Sequence, residues 1–83
     1  MSYTVAWTQS SLDELAELWQ LADRRSEITD AIHQIDQLLS ARPTRLAMPL
    51  SEGLFVLIVF PIRVIFEVRE ADLIVEVLRI KKM

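Results

Sequence analysis

The sequence predicts an α+β domain of two layers: an N-terminal strand, then an antiparallel helical hairpin packed on a C-terminal antiparallel sheet, in the order β-α-α-β-β-β. Three observations carry this. Apolar residues recur at helical spacing from Leu12 to Ala22 and again from Ile28 to Leu39. From Leu54 onward the pattern becomes β-branched and then alternating. The links between the last three strand-like runs are too short for anything but antiparallel pairing. A chain of 83 residues makes one domain, spanning 1–83. At this size folding hides only about 60% of the unfolded surface, so a partner that covers leftover apolar area adds usefully to stability.

Taken in order, Tyr3 to Thr8 alternate loosely as a strand, with Tyr3, Val5 and Trp7 on one face. Ser11-x-x-Glu14 forms the pattern of a capping box, overlapped by Ser10-x-x-Asp13. Leu12, Leu15, Ala16, Trp19 and Ala22 follow as the apolar stripe of a first helix. Asp23-Arg24-Arg25 breaks it, and Ser26 is the expected cap of a second helix with the stripe Ile28, Ala31, Ile32, Ile35, Leu38 and Leu39. That helix has to stop near Ala41, because Pro43 disfavours helical geometry at Arg42. Trp7 and Trp19 are expected as core anchors between the strand and the helices.

The second half is different in kind. Residues 43–50 are expected as extended chain or loop, with room for a short extra strand over Leu46 to Leu50. Ser51-Glu52-Gly53 is a turn and contains the only glycine. Leu54 to Phe60 is apolar on both faces and is expected as an interior strand, ended or bulged by Pro61. Arg63 to Arg69 alternates, with Val64, Phe66 and Val68 on one face and Arg63, Ile65, Glu67 and Arg69 on the other. Glu70-Ala71-Asp72 is a turn before a last strand from Leu73 to Ile80, and Lys81, Lys82 and Met83 make a basic end.

Composition excludes several chemistries. There is no cysteine, hence no disulfide, thiolate metal site or thiol nucleophile. The longest apolar run, Leu54 to Ile62, has nine residues, well short of the about 20 that cross a bilayer as a helix. Met1-Ser2-Tyr3-Thr4 lacks the basic start of a signal peptide, so a cytoplasmic protein without a membrane partner is expected. A net charge of −3 argues against broad phosphate binding. No Gly-rich phosphate loop, His-x-x-x-His pair or serine-nucleophile context occurs, so neither cofactor nor metal is expected. His33 falls on the polar side of the second helix, where a solvated role is favoured. The pairs Asp13/Glu17 and Glu27/Asp30 are expected as solvating charges rather than acid–base couples.

Two features carry functional weight. Arg63 and Arg69 share a strand face, and an antiparallel hairpin brings Arg63 opposite the basic end of the last strand. Arg63, Lys81 and Lys82 could then hold a phosphate at one sheet edge; alternatively Arg63, Glu67 and Arg69 form an ion network with Glu76. The second feature is surplus apolar area, because the helices can cover only one face of the sheet. Phe55, Leu57 and Val59, with Ile65, Ile74 and Leu78 and with Arg69 beside them, are expected as the uncovered set. Either a partner chain or the segment 43–50 would have to cover it.

The element order resembles the RelE/ParE superfamily of toxins from type II toxin–antitoxin, or plasmid stabilisation, systems. The phrases that match are Tyr3-Thr-Val-Ala-Trp-Thr8, Leu12-Asp-Glu-Leu-Ala-Glu-Leu-Trp19, Ile28-Thr-Asp-Ala-Ile32 with Ile35-Asp-Gln-Leu-Leu39, Pro43, Glu52-Gly53, Pro61-Ile-Arg-Val-Ile-Phe-Glu-Val68 and Leu73-Ile-Val-Glu-Val-Leu-Arg-Ile80. The resemblance implies a compact toxin neutralised by a cognate antitoxin whose segment wraps the helices and sheet. In RelE-like members it implies ribosome-dependent mRNA cleavage, with Arg63 matching an arginine of the penultimate strand and Lys81 and Lys82 a basic patch after the last. Such nucleases usually continue with arginine and tyrosine, or histidine and tyrosine, whereas here the only tyrosine is Tyr3 and the only histidine His33. In ParE-like members the resemblance implies DNA gyrase as the target. A non-toxic relative that binds a partner or itself as a homodimer is the remaining alternative.

Overall fold

The computed structural model describes residues 2–83. Strand β1 (Thr4–Trp7) leads into helix α1 (Gln9–Leu21) and helix α2 (Arg25–Ala41), followed by β2 (Met48–Ser51), β3 (Leu54–Val59), β4 (Ile62–Arg69), a single 3₁₀ turn (Glu70–Asp72) and β5 (Ile74–Lys82). The five strands form one sheet in the order β1-β5-β4-β3-β2. The C-terminal strands are antiparallel, as expected, but β1 joins the edge beside β5 in parallel, so the sheet is mixed. Parallel placement is possible because the whole helical hairpin serves as part of the connection between β1 and the sheet. The segment before β3 supplies the extra strand: β2 extends the far edge by pairing with β3 and does not fold over the sheet.

Helix α1 starts earlier than its sequence pattern suggests. Thr8 is the cap: its hydroxyl accepts the Ser11 N–H at 3.1 Å, and the buried Ser11 hydroxyl returns a bond to the Thr8 carbonyl at 2.8 Å. The cap falls here because Thr8 is already anchored to β5, its N–H donating to the Val77 carbonyl at 3.1 Å. Glu14, freed from capping, points to β5. Helix α2 begins at Arg25 behind Arg24, without a side-chain cap, so Ser26 is inside the first turn. The Ser51-Glu52-Gly53 turn has Gly53 at φ +77°, a conformation that glycine adopts at little cost.

Both helices lie on one side of the sheet. Ile28, Ala31, Ile35 and Leu39 of α2 meet Leu57, Ile62, Val64, Phe66, Val75, Val77 and Ile80 in a single core. Phe55 stacks on Phe66 with ring centroids 5.7 Å apart. Tyr3, Val5 and Trp7 of the leading segment close this core from the β1 edge, as the alternation suggested.

The faces of β3 are the reverse of the expected arrangement. Phe55, Leu57 and Val59 stand opposite Phe66, Val64 and Ile62 in the β3–β4 ladder and belong to the helix-covered side. Apolarity on both faces gave β3 no preferred side in its own sequence; its register against the alternating β4 decides. Trp19 also departs from expectation: 41% exposed, it lies outside the core with the Arg25 guanidinium 5.8 Å from its ring centre.

Candidate partner-binding face and cationic corner

The sheet side away from the helices is built by the alternate residues. Val56 stands opposite Ile65, with Met48 beyond it on β2; Ile58 stands opposite Arg63; Leu54 opposite Glu67; and Arg69 opposite Ile74. Among the described residues no helix or loop covers this face. Its apolar centre of Met48, Leu54, Val56, Ile58 and Ile65 is bounded by charge at both ends. Of the expected partner set, Ile65, Arg69 and Ile74 lie here, Leu78 is half-buried where the β4–β5 register shifts, and Phe55, Leu57 and Val59 do not belong to it.

One end of the face is an ion network. Arg69 donates through Nε to Glu67 at 3.0 Å and through Nη2 to Glu76 at 3.2 Å. The Glu67 hydrogen bond first, and the charges of Glu76 and Glu67 after it, push the Arg69 guanidinium pKa further up. This is the expected network without Arg63. Nearby, Tyr3 donates its hydroxyl to Glu70 at 2.7 Å. That bond, with desolvation and the carboxylate charge as smaller contributions, holds the phenol above its ordinary value of 10.0.

The other end is cationic. Arg63 faces Lys81 directly across the β4–β5 ladder, and Arg79 follows one step along, opposite Ile65. Together Arg63, Ile65, Arg79 and Lys81 line a depression of about 250 Å³. Among the described residues no carboxylate lies within ion-pair distance of Arg63 or Lys81, whereas Arg79 is held by Glu14. Lys82 does not join them. It stands opposite Ile62, whose side chain is on the core face, and it borders a small polar cavity with Asp23, Arg24 and Glu27. The alternation of β5 therefore splits the basic end that the sequence presents as a unit. His33 is exposed on α2, as expected.

A second uncovered apolar surface was missed in the sequence. Leu12, Leu15, Ala16 and Trp19 of α1 and Ile28 and Ile32 of α2 line a groove of about 390 Å³ between the helices. The signal was present: α1 carries more apolar positions than one face against the sheet can use, and with Ser11 buried, Leu12 and Trp19 turn outward.

With this geometry the fold is the one found in RelE and ParE toxin–antitoxin proteins. The chain is similar over its whole length, and over all of the other chain, to a solved structure of the RelBE2 toxin–antitoxin complex from Mycobacterium tuberculosis, at 21% identity and a TM-score of 0.84. It is similar to one of the chromosomal ParDE system from P. aeruginosa, at 16% identity and a TM-score of 0.74, covering 98% of this chain and 96% of that one. A third is the isolated E. coli RelE toxin, at 14% identity and a TM-score of 0.69, covering 96% of this chain and 83% of that one. No family model matches the sequence, and no curated protein matches it. At such identities the likeness is one of backbone.

Proposed function

We propose that this protein is the toxin component of a type II toxin–antitoxin module and acts through protein binding, with a cognate antitoxin as its first partner. The observation that carries this is the apolar centre of the sheet side away from the helices, Met48, Ile58 and Ile65 around the buried Val56, in a fold whose solved relatives include the chains of toxin–antitoxin complexes. A small domain with both this face and the interhelical groove in water has apolar area to gain by binding. An antitoxin segment that orders on the sheet and helices meets that need. The setting is the cytoplasm, and a cellular enzyme such as DNA gyrase is the second target in this reading.

The test is co-expression with the adjacent open reading frame, scoring growth and co-purification. Expression alone should arrest growth, and the adjacent product should relieve the arrest and purify with this chain. Growth without arrest removes the toxin reading, and a homodimer that persists without the adjacent product favours self-association.

A second reading rests on a specific observation, the unpaired Arg63 and Lys81 facing each other beside Arg79. Such a cluster can hold an RNA phosphate and stabilise charge developing on it, which is what a ribosome-dependent mRNA endoribonuclease requires. Lys82 is separated from the cluster and is not assigned a role in it. If this reading holds, Arg63→Ala abolishes ribosome-dependent cuts and relieves arrest. Arrest with a DNA-damage response and intact mRNA favours gyrase instead.

A further inference from the structure

Glu14 reaches from α1 to one of the three cations of the corner, Arg79. It leaves α1 for β5, where β1 has already ended and the strand edge is open. Its carboxylate accepts Arg79 Nε at 3.2 Å on one oxygen and 3.0 Å on the other, with Arg79 Nη2 a further 3.0 Å from Oε2. The Oε1 atom also accepts the Ile80 backbone N–H at 3.0 Å. Two different needs are met by one group: the free edge of β5 gains an acceptor, and Arg79 gains a two-pronged partner. The register shift between Ile65 and Phe66 falls here, placing Arg79 opposite Ile65 on the face that carries Arg63 and Lys81.

From this we infer that Glu14 is an internal mask: it neutralises Arg79 on the wall of the cationic corner, so the native protein presents Arg63 and Lys81 as its working pair and Arg79 in reserve. The masking group is on α1, the helix whose other side forms the interhelical groove through Leu12, Leu15, Ala16 and Trp19. The charge of the corner thus depends on where α1 sits.

This rests on the corner being an anion-binding surface, so two measurements are needed, one of which is independent of that reading. The first is nitrogen-15 NMR of the native protein. The Arg79 side-chain Nε–H should show hindered rotation and slowed exchange, both lost in Glu14→Gln, while the glutamine oxygen still accepts from Ile80 and keeps the fold. A freely averaging Arg79 guanidinium in the native protein overturns the mask. The second uses a fluorescent octauridylate as the polyanion probe. Glu14→Gln should bind about fivefold more tightly than the native chain. Arg79→Ala should change native binding by less than about twofold yet cancel the whole gain in the Glu14→Gln background. Equal loss on Arg79→Ala in both backgrounds, or no gain in Glu14→Gln, overturns it. A clamped Arg79 without octauridylate binding in any variant overturns the masking role and the phosphate reading of the corner, while leaving the protein-binding proposal standing.

Discussion

Leu57 and Ile58 are adjacent aliphatic residues in the same strand, and their surroundings are opposite. Leu57 is 2% exposed, between α2 and the Val64 side of β4, while Ile58 is 43% exposed beside Arg63. The same contrast runs through the sheet. The helix side is an unbroken apolar layer in which Ile62, Val64, Phe66, Val75 and Val77 are fully enclosed. The far side is apolar only in its centre, with the Arg69 network at one end and Arg63 and Lys81 at the other. The difference separates two uses of hydrophobicity. One layer is sealed and holds the fold; the other is framed by charges that could orient a visitor and is left open.

Aspartate substitutions give the sharpest test of that contrast. Leu57→Asp buries a carboxylate with no partner and should leave no folded protein, since the cost is several kcal/mol in a domain of modest stability. Ile58→Asp should fold with native circular dichroism. If the two variants behave alike, the assignment of faces is wrong. Alanine substitutions grade the same contrast: Phe66→Ala should cost about 3–5 kcal/mol in urea unfolding, and Ile65→Ala on the open face about 1 kcal/mol or less.

How much of this was legible depended on where the information resides. Both helices and the C-terminal strands follow from periodicity, because each carries its pattern locally. Pro43 and Gly53 punctuated the chain where the sequence suggested. The face of β3 was not legible, since a strand apolar on both sides takes its orientation from its neighbour's register. The parallel pairing of β1 with β5 is likewise a property of contact. Ser11 and Glu14 satisfied the spacing of a capping box, yet Thr8, fixed by its bond to Val77, capped first. Lys81 and Lys82 are adjacent in sequence and on opposite sides in space, for the simple reason that strand side chains alternate.

Smaller effects probe the edges of the two layers. Thr8→Ala removes the acceptor for Ser11 N–H and should cost about 1 kcal/mol, whereas Ser26→Ala should cost little, because Ser26 caps nothing. Tyr3 is the only tyrosine, so alkaline absorbance titration reports it alone. Its midpoint should lie above 10.0 and fall on Glu70→Gln. The folded phenol has the higher pKa, so its contribution to stability is complete below the unfolded value and is lost as pH rises through the folded one.

The central claim is that the open sheet face takes a polypeptide, and calorimetric binding of the adjacent gene's product to the native chain and to Ile58→Asp and Ile65→Asp tests it most directly. Tight binding by the native chain, with both folded variants weakened by roughly 30-fold or more, is the expected result. Native-like affinity in both variants would contradict it.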